Sequence, residues 1–505
     1  MRLEGGASPF AEALDCFECE DYLVLSAVVF LPWAFGGVEI WAYRLAALLL
    51  SVAGAVSLTK HGAAGLGLTR RSSWLTPAAL LAVWALVQVV PLPAAAVRML
   101  SPTAHRIYVE TFPGYPDPAP DNVVLALEEA ALARVPDAQT FEPPPRHDDL
   151  FQGGEGGRWR GWRTLSLLPS AGIENLFWYV ALLMGFLVVR RRTRSPEVAS
   201  QYRKLLFLLF ASLASFGLVY TATRNDRLYW VRETLQPTHP YGPFVNPTNF
   251  AVLMEMAVPW IVGHVIFQLQ SSRRRWVAIL ERPVFVAASL LCLASGLLAG
   301  SKLAAVLLVT SVTFMVVLGA SRARTRWALA GGAVLIWSAI AMLLRGSVLG
   351  ERVRQFLDTG GVDLNELGRV AAWKASLPML RDFLISGSGF GSFEDVFQGY
   401  VSGGTTGRYN AAHNDYLELL LEGGLVAAVL LVWLVIAFWS RALAAAPGAG
   451  RLWQDPERLG LVVGLAAISL HAWVDYNHQI PAVGLVFVAL SAMAIARTES
   501  EPEPG

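Results

Sequence analysis

The residues best suited to chemistry lie in one short run, Ala412-His-Asn-Asp-Tyr-Leu-Glu-Leu-Leu-Leu-Glu-Gly-Gly424. His413 can take up a proton near neutral pH, as the activation of a hydroxyl nucleophile requires. The leucines after it predict a helix that starts here, with Asn414 or Asp415 as its cap. Helical spacing then sets Asp415, Glu418 and Glu422 near one face. Carboxylates in an apolar helix are costly, so Glu418 and Glu422 read as functional by default, whereas Gly423 and Gly424 read as points of close helix packing. Upstream, Glu366 to Phe383 reads as a helix on which Arg369 and Trp373, four apart, share a face. Gly387-Ser-Gly-Phe-Gly-Ser-Phe393 follows, with Gly387, Gly389 and Gly391 at alternate positions, which suits a tight turn or a close backbone approach. Two further polar sites are Gly300-Ser-Lys302, whose lysine either snorkels or offers a cation, and Asp475-Tyr-Asn-His-Gln479, where Asp475 and His478 form a structural pair or belong to the site.

The elements that must position these residues are membrane helices. The sequence is 54% hydrophobic, 16% charged and of net charge +1, against about 25% charged in soluble domains. No concentrated basic face is present, so nucleic acid is not an expected partner. Cys16 and Cys19 form a lone C-x-x-C without the second pair of a structural zinc site, and Cys292 lies in an apolar run. The first twenty residues are acidic, unlike a cleavable signal. Stretches of about 20 apolar residues are read near 22–36, 39–58, 73–93, 173–190, 203–221, 248–268, 283–299, 303–320, 327–344, 417–439, 459–474 and 480–496. The expected fold is therefore all-α, a polytopic membrane protein of about 12 transmembrane helices.

With the N-terminus inside, every cluster of Lys and Arg falls in loops on the cytoplasmic side, among them Arg190–Arg192 and Arg273–Arg275. The expected organisation is a cytoplasmic segment 1–21, helices in 22–93, an outward loop 94–172, helices in 173–344, a large outward loop 345–416, helices in 417–496, and a cytoplasmic tail 497–505. The 94–172 loop, with Pro113, Pro116, Pro118, Pro120 and Pro143–Pro145, is expected to be largely irregular or polyproline-like. Its tail, Arg158 to Arg163, pairs cations with aromatics and reads as an interfacial anchor or a lipid-phosphate contact. In this topology every strong polar motif is exterior, and the interior loops hold only generic arginines.

Several of these pieces together resemble the O-antigen ligase and polymerase family of bacterial envelope polysaccharide biosynthesis. They are Trp162-Arg-Thr-Leu-Ser-Leu-Leu-Pro169, Gly242-Pro-Phe-Val-Asn-Pro-Thr-Asn-Phe-Ala251, Ala299-Gly-Ser-Lys302, Arg369 with Trp373, Gly387-Ser-Gly-Phe-Gly391, His413-Asn-Asp-Tyr-Leu417 with Glu422-Gly423, and Asp475 with Pro481. The departures are Lys302 where Ser-Arg is usual, which keeps the charge but loses the bidentate fork, and Asn246-Pro-Thr-Asn249. The resemblance implies a membrane-embedded glycosyltransferase of GT-C type architecture in the bacterial inner membrane, its active site facing the periplasm. It implies no cofactor, no required metal and no nucleotide sugar. The donor is expected to be a glycan on polyprenyl (undecaprenyl) pyrophosphate, and the acceptor a hydroxyl of a glycan, a lipid core or a protein. Other polysaccharide assembly proteins are possible partners. His413 is the expected base, with Glu422 beside it to orient it or pair a cation. Arg369, Lys302 and Arg224 are the expected pyrophosphate cations, with Arg227 and Arg352 less favoured. Asn414, Asp415, Gly387, Gly389 and Asp475 would hold the acceptor or shape the loops. A transporter or flippase without covalent chemistry is the alternative, although no paired inverted halves are visible.

Overall fold

The computed structural model describes residues 16–66, 68, 74–112, 115–116, 161–223, 227–233, 240–270, 276–320, 364–401, 409–444 and 452–499, with single residues and short pieces between 324 and 332. In chain order the helices are α1 (Cys19–Trp33), α2 (Ile40–Gly65), α3 (Thr76–Val89), α4 (Ala94–Leu100), α5 (Pro102–Thr111), α6 (Pro169–Arg192), α7 (Pro196–Ala222), α8 (Pro247–Gln270), α9 (Trp276–Leu298), α10 (Lys302–Gly319), α11 (Leu364–Asp382), α12 (Phe393–Phe397), α13 (Asp415–Ala442), α14 (Pro456–His471) and α15 (Pro481–Glu499). A two-stranded antiparallel sheet pairs Leu92 with Arg163 and Pro93 with Trp162. Among the described residues, 7 helices are long and apolar enough to cross a membrane, with shorter apolar helices at Thr76–Val89 and Arg282–Leu298. The chain is an all-α polytopic membrane protein. Each expected span coincides with a helix except 327–344, most of which lies outside the described residues.

Local signals set the helix starts. Proline, which needs no amide partner at a helix N-terminus, opens α5, α6, α7 and α14. Ser195 caps α7 through Val198 N, and Asp455 caps α14 through Arg458 N. The main core joins α1, α2 and α6 to α10 with α14 and α15. Its closest helix pair is α8 with α14. A side chain at Gly460 would run into the Pro259 carbonyl, one at Gly464 into that of Met256, and one at Gly263 into that of Pro456. Small residues of this kind let membrane helices meet backbone to backbone.

A second core lies across one end of the bundle. It joins Val97, Ala104 and Tyr108 of α4 and α5 to Ala372 and Met379 of α11, Phe393 and Phe397 of α12, and Ala412 and Leu421. The segments flanking α3 and preceding α13 therefore build one layer. Within the 94–172 loop the first 18 residues are the helices α4 and α5 with one residue between them, while most of the proline-rich stretch that was expected to be irregular lies outside the described residues. Arg163, at the end of the cation–aromatic tail, meets aromatic rings of the same chain. Its guanidinium lies over Phe112 at 4.8 Å and Tyr115 at 5.7 Å, at the edge of this layer. Residues 158–160 lie outside the described residues.

The opposite end of α6, about 36 Å away at 1.5 Å per residue, carries an ion network. Arg191 meets Glu20 at 2.6 Å, Arg192 meets Asp21 at 2.7 Å, Lys60 meets Glu20 at 3.1 Å, and Tyr202 donates to Asp21 at 2.8 Å. Glu20 and Asp21 are buried within α1, so Arg191 and Arg192, which pair with them, are not the generic loop arginines expected. Burial would raise the Glu18 carboxyl, but Glu20, Arg192, His61 and Arg191 outweigh it and bring it down to about 2.

Replacing Gly464 by leucine should cost about 2 kcal/mol or more by forcing α14 off α8. Thermal unfolding of the detergent-solubilised chain should show a lower transition temperature, while a leucine at the open Gly399 should change it little.

Candidate active site

The second core places the reactive run against the turn that joins α14 to α15. Asn414 caps α13, its side-chain oxygen accepting from Tyr416 N at 3.1 Å and Leu417 N at 3.0 Å. The residue before it, His413, has φ +49, a left-handed conformation that a non-glycine residue holds only when its surroundings impose it. They do. Trp373 Nε1 donates to the Ala412 carbonyl at 2.8 Å, and the Ala412 amide donates to Glu418 at 2.7 Å. Gln479 also donates to Glu418. Ala412 is clamped from both sides, and the histidine is turned out between that clamp and the cap.

His413 Nδ1 lies 3.1 Å from Asp475 Oδ1, and Arg369 Nη2 lies 3.8 Å from Asp475 Oδ2. Asp475 is 7% exposed, against 29% for His413 and 32% for Arg369. A buried carboxylate thus anchors two partly open groups. Burial alone would raise the Asp475 carboxyl, but the hydrogen bond with His413 and the charge of Arg369 outweigh it and hold it below the usual carboxylate range. An ionised carboxylate only accepts, so Nδ1 carries the hydrogen and Nε2 keeps the lone pair of the neutral ring. Tyr476 packs edge-on against the ring, centroids 4.9 Å apart, and bonds through its hydroxyl to the side chain of Asn246 at the start of α8.

A second pair crosses the first. Asp415 Oδ2 accepts from His478 N and faces its Nδ1, each at 2.9 Å. Asp475 and His478, read together as a possible pair, each pair instead with the segment around the α13 start. The Asp415 amide completes the junction by donating to the carbonyls of Ala472 at 3.0 Å and Asp475 at 3.3 Å.

Glu422 does not orient the histidine or pair a cation. Its Oε1 accepts from Phe393 N at 2.8 Å, and the amides of Gly391 and Ser392 also point to its carboxylate. The reason is the break at Gly424, φ +68 and ψ −170, inside α13. Gly424 carries the break, and both glycines allow the close approach expected of them: a side chain at Gly423 would meet the Phe390 ring and one at Gly424 the Ile385 carbonyl. The break frees main-chain groups that a membrane helix cannot leave unpaired. Ser388 N donates to Leu421 O at 3.0 Å, Gly389 N to Glu422 O at 2.9 Å, and Leu425 N to Leu384 O at 2.8 Å. Gly387 and Gly389 shape this turn: a side chain at the first would meet the Glu422 carbonyl, and at the second Ser166. Gln88 of α3, which the sequence reading passed over, ties the assembly together, donating to Ser386 O at 2.6 Å and Glu422 O at 2.9 Å. An amide within an apolar run was the signal available.

Lys302 is an exposed residue that opens α10, after Gly300 with φ +83. Arg224 and Arg352 lie outside the described residues, and Arg227 pairs with Glu233 at 2.7 Å. One group among the described residues, Glu18, Glu20 and His61, has the spacing to hold a metal ion. Its carboxylates already face Arg191, Arg192 and Lys60.

Residues 287–432 match a family model described as O-Antigen ligase. The chain contains an O-antigen ligase domain. No curated protein matches the chain. The match runs from α9 through most of α13, so the O-antigen ligase domain holds Arg369, Trp373, His413 and Glu422, whereas Asp475 comes from beyond it. An activity of the O-antigen ligase or polymerase type follows from the domain.

Two outcomes follow from these geometries. Glu422→Ala should lower stability by about 2–3 kcal/mol by orphaning buried amides, measured by thermal unfolding, and Glu422→Gln should retain most of it. Because folding depresses the Asp475 carboxyl, its contribution is present above the unfolded value and lost as pH falls through the folded one. Unfolding of Asp475→Asn followed against pH should therefore be less acid-sensitive than that of the parent.

Proposed function

We propose that the chain transfers a glycan from a polyprenyl pyrophosphate donor to an acceptor hydroxyl at the periplasmic face of a bacterial inner membrane. The observation that carries this is a histidine held in a strained backbone, with Nδ1 on a buried aspartate that also faces a partly exposed arginine. The acceptor hydroxyl gives its proton to His413 Nε2 while its oxygen bonds the anomeric carbon. The bond from that carbon to the pyrophosphate oxygen breaks, and its electron pair leaves on the polyprenyl pyrophosphate. Asp475 balances the imidazolium that forms, and it acts as a fixed orienting group. Arg369 is the first cation for the developing phosphate charge, and its long ion pair with Asp475 leaves the guanidinium free to engage it. Lys302 and Arg224 are further candidates. Glu422 shapes the turn instead of joining the chemistry, as do Gly387 and Gly389, while Asn414 and Asp415 set the position of His413.

The arginine-rich end of α6, opposite the site, supports a cytoplasmic placement for that end and a periplasmic one for the layer built from 94–172 and 345–416. Ligase and polymerase differ only in the acceptor, a lipid core sugar or the growing glycan, and a protein hydroxyl is the third option.

Proteoliposomes holding the chain, a polyprenyl-pyrophosphate glycan and a candidate acceptor should release free polyprenyl pyrophosphate as the glycan is attached. His413→Ala should slow this by about 100-fold or more while the protein inserts and unfolds as the parent does. Undiminished transfer by that variant would remove the proposed base. In cells, loss of the chain should shorten the glycan if it polymerises and strand full-length glycan on the carrier if it ligates.

A further inference from the structure

The first turn of α13 holds a buried carboxyl, Glu418, that the chemistry above does not use. It lies one turn before Glu422, and both side chains accept main-chain amides, but from different segments. Glu422 accepts from Phe393 N in the glycine turn at 2.8 Å, whereas Glu418 accepts from Ala412 N at 2.7 Å, next to the histidine. A carboxyl is a costly acceptor to place inside an apolar bundle, so what its bond controls matters.

The bonds on Ala412 act on two successive peptide planes. Ala412 is 1% exposed, so water cannot replace a lost partner at either of its main-chain groups. Glu418 fixes the plane that enters Ala412. Trp373 Nε1, on α11, donates to the Ala412 carbonyl at 2.8 Å and fixes the plane shared with His413. Rotation of that shared plane against the histidine Cα is the φ of His413, +49. Once released, the residue would return to the right-handed region near −60°, a rotation of roughly 110° that swings the ring off Asp475. On the other side of the histidine, Asn414 is held as the cap of α13, and the Asp415 amide donates to the Ala472 and Asp475 carbonyls.

We propose that Glu418 and Trp373 are positioning residues for the transfer reaction: by holding the two peptide planes of Ala412 they impose the left-handed backbone that sets His413 Nδ1 on Asp475 and turns Nε2 to the reacting hydroxyl. Neither needs to touch a reactant. The two carboxyls of α13 then divide their work, Glu422 serving the turn and Glu418 the base. This rests on the function proposed above, in which His413 takes the proton.

The test is a double-mutant cycle on the glycan-transfer rate of the full chain in proteoliposomes, followed long enough to measure the residual rate of His413→Ala. Glu418→Met, which keeps the length and removes the acceptor, and Trp373→Phe, which removes the donor, should each lower kcat by about 10- to 100-fold with KM within a few-fold. Glu418→Gln, which keeps an accepting oxygen, should stay within about fivefold of the parent. In a His413→Ala background, Glu418→Met should change the residual rate by less than about twofold, because no base is left to misplace. Parent-like rates in Glu418→Met and Trp373→Phe, or a loss by the same factor with and without His413, would overturn the proposal. If Glu418→Met does not fold, Trp373→Phe goes through the same cycle and decides alone. Should the parent transfer no glycan, the functional reading fails, and cryo-electron microscopy of Trp373→Phe still decides the positioning: a ring displaced from Asp475 supports it, and a ring still bonded there overturns it.

Discussion

The geometry of the site depends on the burial of one carboxylate. Asp475 sits in a turn between two helices with little access to water, and an unpaired charge there would cost several kcal/mol. Its neighbours supply the compensation: a histidine Nδ1, an arginine and its own residue's neighbouring amide, Tyr476 N at 3.0 Å. Each of these comes from a different part of the chain. His413 is delivered by the clamp on Ala412, Arg369 by α11, and the turn itself by the contact of α14 with α8. The left-handed backbone at His413 persists because the ring has this partner and the residues on either side are fixed.

The second constraint is the membrane helix that α13 has to be. A break at Gly424 would be untenable in a hydrocarbon setting without replacement partners. The Gly387–Phe393 turn provides them, and Glu422 in turn accepts its amides. The break and the turn each satisfy the other's polar groups. That mutual arrangement fixes α11 and α12 beside α13, and so brings Arg369 and Trp373 to the histidine.

Much of this was legible in the residues. Apolar runs of spanning length identified the helices, and a four-residue spacing put Arg369 and Trp373 on one face, where one reaches Asp475 and the other Ala412. A cap at Asn414 or Asp415 was recognisable, and Asn414 fills it. What periodicity does not encode is pairing between distant segments: Asp475 is 62 positions from His413, and its nearer neighbour His478 offered a plausible local partner. Glu422 read as chemical because an intramembrane carboxylate usually is, yet its role came from a break whose geometry only the fold reveals. The helices α4 and α5 were masked by the prolines that follow them. The acidic N-terminal residues gave no hint of the arginines that meet them 171 positions later.

The central claim is that His413 and Arg369 face the two reacting partners from opposite sides of Asp475. Cryo-electron microscopy of the reconstituted chain with a non-transferable polyprenyl pyrophosphate glycan analogue and an acceptor tests it most directly. The account predicts pyrophosphate oxygens within hydrogen-bond distance of the Arg369 guanidinium and an acceptor hydroxyl against His413 Nε2. A pyrophosphate seated away from Arg369, with Nε2 facing neither acceptor nor donor, would contradict it.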